Sequence, residues 1–427
     1  MRGRVLAVLA LLLCVPLPAR AGGPAYVAGS GYDPGVKGQP VVWAGDYVEY
    51  FTDQGDLSPI LTNVQADAFV ANAFSPWTSV LDSAFTASQG GHLAEDVNAT
   101  NVIGYPNGTY SIPTDIQPAA TATPLGIVYD YDGAVTDALL GAGAGGVDYC
   151  FTNAVYGGPD NLSTAGNLVH ALIVINDVCA ASNSQLPEVQ YRLVRTLGRV
   201  IGLGWSQSNL NVITGNPPPT SDDYAGFPLM HFTDPVTCVP ISICYPNAAT
   251  LKMDDTASLV RLYPVTGHQA QKSKPLVAEQ PTARIHGSLY FTDGSGNAAQ
   301  PMQGVNVVAR LLDGAGRPSR QYVATSVSGF LFHGNAGNMI NGFADWSGLR
   351  YDRWGSDDSA LEGFFDLSGL VVPTGQSIAL YQLSVEALDA NWSAGVEPYT
   401  FPQVLPSGQF APVVSRCSLR RMWSATS

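Results

Sequence analysis

The strongest constraint on the fold is a change of pattern across a polar segment at residues 265–282. Before that segment, three stretches carry apolar residues at helical spacing: 61–81, 187–202 and 254–262. Three further stretches there are typical of strands: 46–51, 125–129 and 171–175. After the segment, Gly and Asp turns separate short strand-like stretches at 285–291, 305–311, 322–325, 330–332, 363–367 and 379–387. The sequence therefore predicts an α+β domain followed by an all-β sandwich.

The length of 427 residues predicts two or three domains. The predicted segments are a signal peptide at 1–21, an α+β domain at 22–264, a linker at 265–282, a β-sandwich at 283–415 and an irregular tail at 416–427.

The composition excludes several classes of protein. Charged residues make up 13% of the chain, about half the ~25% of an ordinary soluble protein, and 46% of residues are hydrophobic, so a disordered chain is excluded. The formal net charge is −14. That acidity disfavours binding to nucleic acid or to an anionic membrane, because both need clustered Lys and Arg.

The first 21 residues have the three parts of a secretory signal peptide. A basic start at 1–4 precedes an apolar stretch at 5–15, and Ala19-Arg20-Ala21 forms a small-x-small cleavage site. No other stretch reaches the roughly 18 apolar residues of a membrane helix. We therefore expect a secreted or extracytoplasmic protein without membrane insertion.

Five cysteines remain after the predicted cleavage, and an oxidising compartment favours disulfides among them. Cys238 and Cys244 are six residues apart and are expected to close a small loop. Cys150 and Cys179 would then pair with each other. Four cysteines allow three connectivities, so the other two pairings stay open. Cys417 is left over in the basic tail.

The end of the second predicted helix, Arg195 to Ser206, reads RTLGRVIGLGWS. It resembles the metzincin zinc-peptidase signature HExxHxxGxxH. That signature places two His four residues apart on one helix face, a Glu beside the first as general base, and a Gly that turns the chain towards a third His. Gly202 stands at the turn position, and Gly198 matches a common neighbour in the matrixin branch of the family.

Three other segments carry the same resemblance, which covers about residues 40–264. Residues 43–57 with the following helix look like the first strand and helix of a matrixin domain. Pro228-Leu229-Met230-His231 looks like the Met-turn that lies beneath the zinc ion. Residues 253–264 look like the closing helix. The resemblance implies a metzincin-like α+β domain, with a mixed sheet and three main helices.

The departures from the signature decide the expected function. Arg195, Arg199 and Trp205 stand at the three ligand positions, and Thr196 stands at the general-base position. Guanidinium has no acceptor and stays charged, so two Arg would repel a zinc ion, and a Thr hydroxyl is no general base at neutral pH. We therefore expect a pseudo-metallopeptidase without zinc and with a non-catalytic binding or structural role.

The sequence allows several hypotheses about the cleft in which a metzincin would hold its zinc ion. Arg195, Arg199, Trp205 and His231 are candidate residues of a cleft that binds an unidentified protein or glycan. Alternatively, side chains fill the cleft in a purely structural protein, or Arg195 and Arg199 lie with Arg192 on the solvated face of an ordinary helix. An active secreted metallopeptidase or other hydrolase with an unconventional site is the enzymatic alternative.

One further cluster of acidic residues resembles part of a calcium-binding loop. Asp130, Asp132 and Asp137 lie within eight residues beside Gly133. The rest of an EF-hand loop is missing, which favours an ordinary turn over a calcium site.

The second half resembles carboxypeptidase-regulatory-like β-sandwich modules, which are accessory domains, and the resemblance implies an all-β immunoglobulin-like sandwich. The resemblance rests on turns and alternation at Ile285-His-Gly287, Asp293-Gly294, Gly304-Val305, Gly329-Phe330 and Gly363-Phe364-Phe365. A long insertion at 334–362 holds three aromatic residues, Trp346, Tyr351 and Trp354. They would bind glycan or protein if exposed, and would pack internally if not.

Overall fold

The structure is a computed structural model. It describes residues 23–29, 32–104, 110–208, 211–214, 218–231, 249–265, 274, 282–296, 298–332, 343–344, 350–351 and 358–386. The predicted signal peptide, the tail, Cys238, Cys244, Trp346 and Trp354 lie outside these residues.

The described helices are α1 Asn63–Thr78, α2 Ala134–Leu140, α3 Cys150–Asn153, α4 Leu186–Val200, α5 Asn211–Thr214, α6 Ser221–Gly226 and α7 Met253–Leu262. The described strands of the first half are β1 Val42–Trp43, β2 Tyr47–Thr52, β3 Thr86–His92, β4 Ile103–Gly104, β5 Tyr110–Ser111, β6 Leu125–Asp130, β7 Val155–Leu162 and β8 Asn167–Asn176. Those of the second half are β9 Thr282–Ser288, β10 Tyr290–Thr292, β11 Ala298–Pro301, β12 Asn306–Leu312, β13 Pro318–Val327, β14 Phe343–Ala344, β15 Arg350–Tyr351, β16 Phe364–Val371 and β17 Tyr381–Glu386.

The first half is built on a six-stranded sheet in the order β1-β8-β6-β2-β3. These strands pair in parallel, whereas β7 pairs antiparallel with β8, so the sheet is mixed. The central strands β6 and β8 read as near-continuous apolar stretches because both sheet faces are covered. The predicted combination of an α+β half and a separate β half is therefore present in outline.

Helices α1 and α4 cover one face of this sheet. Residues Ala66, Val70 and Phe74 of α1 belong to the same core as the apolar face of α4. The Phe74 ring stacks on Tyr50 of β2 with centroids 4.5 Å apart. A smaller core, which includes Val128 and Val174, covers the opposite sheet face. Most of the stability of each helix thus comes from burying an apolar face.

The second half consists of antiparallel sheets. The three-stranded sheet has the order β13-β12-β17, and β9 pairs with β16 in a second sheet. Apolar residues of β12, β13 and β16 form one core. Strands β10 and β11 form a separate hairpin.

Helix α7 contributes to the cores of both halves. Leu259 and Leu262 pack in the core of the mixed sheet. Met253 and Ala257 pack in the core of the antiparallel sheets. The closing helix of the first half is thus also a layer of the second.

Two strand predictions in the second half were wrong. Residues 330–332 form a turn after Gly329, whose φ is +77°, and Phe330 is apolar because it is buried in that turn. The predicted strand at 285–291 is interrupted at Leu289. There the Leu289 N–H bonds the carbonyl of Gly363 and its own carbonyl accepts from Met302, so the chain passes from one sheet to the next.

Candidate functional site

The site begins where α4 ends. Two aromatic side chains from outside the helix satisfy its last carbonyls: Trp43 Nε1 donates to Val200 at 2.9 Å, and the Tyr263 hydroxyl donates to Ile201 at 2.5 Å. Gly202 then turns the chain with a φ of +101°. A Cβ at this position would also lie 3.2 Å from the Val41 carbonyl oxygen, so glycine is required twice over.

The turn brings the three degenerate ligand positions together. Arg195 and Arg199 lie one turn apart on α4, and their guanidinium carbons lie 5.1 and 5.3 Å from the Trp205 ring centroid. The Arg195 guanidinium also lies 5.2 Å from the Tyr191 ring. Two cations beside one indole form a cation–π arrangement.

Arg195 is the buried member of this group, with 8% of its surface exposed. Its Nη2 donates to the carbonyl oxygen of His231. Arg199 and Trp205 are half-buried. Arg192 is buried too and pairs with Glu188 one turn away, so the interpretation of this face as solvated was wrong. The guanidinium of Arg195 therefore ties α4, Trp205 and the predicted Met-turn together.

Met230 packs directly against the backbone of α4. A Cβ at Gly198 would lie 2.4 Å from Met230 Sδ and 2.7 Å from the Trp77 ring, so only glycine leaves room for both. The Ser206 N–H donates to the Met230 carbonyl at 2.5 Å. The segment after the glycine turn is thus paired with the predicted Met-turn.

The remaining candidates offer little for acid–base chemistry. His231 is 1% exposed, its Nε2 donates to the Ser208 carbonyl at 2.9 Å, and its ring packs 4.5 Å from that of Phe227. Nε2 is thus committed as a donor and is itself neither a metal ligand nor a base. Thr196 is buried on α4.

Asp255 is a supporting residue that the sequence analysis missed. Its carboxylate accepts the N–H groups of Leu229, Met230 and Lys252 at 2.8–2.9 Å and so holds the predicted Met-turn on α7. Asp255 is the third residue of α7, a position from which the sequence predicts a capping bond to the N–H of Lys252. The bonds from Leu229 and Met230 come from a distant segment, and the sequence around Asp255 does not indicate them. Burial raises the pKa of Asp255 to about 6.

Stability should increase on mild acidification. Burial also raises the pKa of Asp53, at the end of β2, to about 7. Because these folded-state values exceed the unfolded value near ~4, the native state holds protons that the unfolded chain has released. The stabilisation that these two carboxyl groups contribute is therefore fully present at about pH 4 and is lost as the pH rises to about 7. We expect the free energy of unfolding to be about 2 kcal/mol larger at pH 5 than at pH 8.

Urea unfolding at the two pH values measures this difference directly. Asp53→Asn removes the carboxyl whose pKa is raised to about 7, so the variant should show a flatter profile whatever its absolute stability. Equal stability at both pH values, or greater stability at pH 8, would contradict the prediction.

The candidate calcium residues organise a turn. Asp130 accepts N–H bonds at 2.8 and 2.9 Å from the first turn of α2, and Asp132 accepts one at 3.0 Å from its start. Asp137 accepts the Gly145 N–H at 2.7 Å. Over the described ranges, no group of three or more His, Cys, Asp or Glu is arranged to hold a metal ion.

Cys150 and Cys179 are joined by a disulfide. This bond links the start of α3 to the short turn after β8. It is the pairing that the spacing of the cysteines suggested, whereas the Cys238–Cys244 pairing lies outside the described residues. Of the three insertion aromatics, only Tyr351 is within them, in β15.

Comparison with protein-family models, with curated proteins and with solved structures finds no match for this chain. In the part of the chain that the structure describes, no helix is long and apolar enough to cross a membrane.

Proposed function

We propose that this protein is an exported non-catalytic protein, built on a degenerate matrixin-like metallopeptidase domain and an accessory carboxypeptidase-regulatory-like β-sandwich. In this proposal the old catalytic centre is a structural cross-link. The observation that carries it is the buried Arg195 guanidinium, which bonds the His231 carbonyl and faces the Trp205 ring.

The donor set of this centre does not fit zinc. A zinc ion needs deprotonated nitrogen, sulfur or oxygen ligands in tetrahedral positions. The three converging positions supply two permanent cations and an indole, none of which offers a lone pair. A dication at this point would be repelled by both guanidinium groups, so we derive no step through a metal.

The geometry around the centre supports descent from a metal-binding frame. The three positions still converge after a glycine turn, and the methionine still packs beneath the helix at Gly198. Arg195 makes the connections between helix, turn and Met-turn that a metal would make by ligation. Of the hypotheses about the cleft, this arrangement favours a filled centre, so binding has to use another surface.

Zinc content and peptidase activity of the purified mature protein test the proposal. After dialysis against trace zinc, we expect less than about a tenth of an equivalent of bound metal and no cleavage of a casein substrate. A value near one equivalent that is lost on chelation, together with cleavage, would overturn the proposal in favour of the active hydrolase.

A variant that restores the signature provides the matched comparison. R195H/T196E/R199H/W205H places the family's ligands and general base on the same backbone. We expect this variant to bind about one equivalent of zinc, because its frame is that of a His-ligated site. A folded variant that binds no zinc would count against the metzincin-like geometry of the frame.

A further inference from the structure

A group of large apolar side chains is exposed on the connection between β6 and β7, which contains α2 and α3. We call it the loop patch, and it consists of Tyr131, Leu140, Val147, Tyr149 and Phe151. Val147 is 64% exposed, and Tyr149 and Phe151 are each 53% exposed. Isolated exposed apolar residues are ordinary, but three aromatic residues and two aliphatic residues within one connection indicate an interaction surface.

The two parts of the connection are held against each other. A Cβ at Gly145 would lie 2.0 Å from the Gly133 carbonyl oxygen, so the two backbones touch at this point. Asn176 Nδ2 donates to the Gly145 carbonyl at 2.9 Å, and Asn153 Nδ2 donates to the Ala144 carbonyl at 2.8 Å. Tyr131 and residues 147–151 thus belong to one tied assembly.

The aromatic side chains are also anchored near their Cα atoms. Cys150, between Tyr149 and Phe151, is bonded to Cys179. The Phe151 ring packs 4.8 Å from the Arg192 guanidinium carbon, which leaves half of the ring surface exposed. Side chains that are ordered before binding lose less entropy on binding, so a rigid exposed aromatic surface is suited to recognition.

The segment of chain that carries the loop patch has charge of one sign. Residues 131–153 contain three Asp and no Lys, Arg or His. Asp132 and Asp148 are exposed in the same loops. The neighbouring base, Arg192, is buried and paired with Glu188. A complementary partner therefore carries positive charge.

We propose that the loop patch is a docking surface for a cationic segment of a partner protein. Lys or Arg side chains of that segment would lie on the faces of Tyr131 and Tyr149 and pair with Asp132 and Asp148. An apolar residue beside them would cover Val147. This inference goes beyond the proposed function, because it assigns a binding surface that does not involve the centre at Arg195.

A random peptide library displayed on phage tests the proposal on the full mature protein. We expect the selected peptides to be rich in Lys and Arg beside an aromatic or aliphatic residue. Their affinity for Y149A/F151A should fall at least about tenfold, the loss of 1.4 kcal/mol expected for removing central aromatic contacts. Y290A/F291A removes two exposed aromatic residues from β10 and should bind as the unaltered protein does.

A charge variant keeps the test independent of the aromatic packing. D148K reverses one charge of the rim and leaves Asp132, which holds the start of α2, unchanged, so it should bind the same peptides at least about tenfold more weakly and with a smaller dependence on salt. Selection of neutral or acidic peptides, or unchanged binding by both variants, would overturn the proposal. Loop-patch-dependent binding of a neutral glycan array or of phosphatidylcholine vesicles, without basic peptides, would overturn it in favour of those occupants.

Discussion

We expect Arg195→Ala to lower the free energy of unfolding by about 2–4 kcal/mol, because it leaves a cavity and a buried acceptor without its donor. The substitution deletes the hydrogen bond to the His231 carbonyl and leaves that buried oxygen without its donor. It also opens a cavity between the Tyr191 and Trp205 rings, which the guanidinium separates. These losses act together because all three groups meet at one buried side chain.

Unfolding of the variant in guanidinium chloride at pH 7 measures the change in the free energy of unfolding. Arg317→Ala serves as the matched control, because Arg317 pairs with Asp313 on the surface and should contribute less than about 1 kcal/mol. Arg195→Lys keeps the charge but loses the planar group, so its cost should lie between the other two. A loss below about 1 kcal/mol for Arg195→Ala would contradict the cross-link, since that is the range of an exposed pair.

Asp254→Ala, at the contact between the two halves, is expected to cost about 3–5 kcal/mol. The Asp254 carboxylate is 2% exposed. It accepts the backbone N–H of Thr325 at 2.5 Å and the Thr325 hydroxyl at 3.0 Å, so it fixes α7 to β13. Burial raises the pKa of Asp254, and its hydrogen bonds and the nearby charge of Arg261 on α7 offset only part of that rise.

Asp293→Ala is the control for this experiment. The Asp293 carboxylate accepts the same pair of groups, the N–H and hydroxyl of Ser295 at 2.9 and 2.7 Å, but it is exposed. Its loss should cost about 1 kcal/mol or less. Thermal unfolding of both variants measures the stability lost when the same pattern of hydrogen bonds is removed from a buried and from an exposed carboxylate. Equal losses of stability would show that α7 does not hold the two halves together.

Helical periodicity and short apolar stretches predict the main helices and central strands of the first half. The predicted helices at 61–81 and 187–202 are present as α1 and α4, and the strands at 125–129 and 171–175 are present as β6 and β8. The pattern fails where an apolar residue is buried outside a strand, as at Phe330. The shared role of α7 was not predictable either, because an apolar residue does not specify which core will cover it.

The candidate site also has features that the sequence predicts and features that it does not. The four-residue spacing predicts that positions 195 and 199 share one helix face, and the resemblance to the metzincin signature implied that position 205 joins them after Gly202. The burial of Arg195 and its bond to residue 231 depend on a segment 36 residues further along the chain, which local pattern does not encode. The partners of Asp254 and Asp255 are equally remote.

The position of α7 also limits how such a protein can change over time. Because residues of one helix belong to two cores, a change in either half alters the packing of the other. Replacing the antiparallel half by an unrelated module would expose Met253 and Ala257, and replacing the first half would remove a layer from the second. The two halves are therefore structurally interdependent rather than interchangeable, although the sequence between them has the composition of a linker.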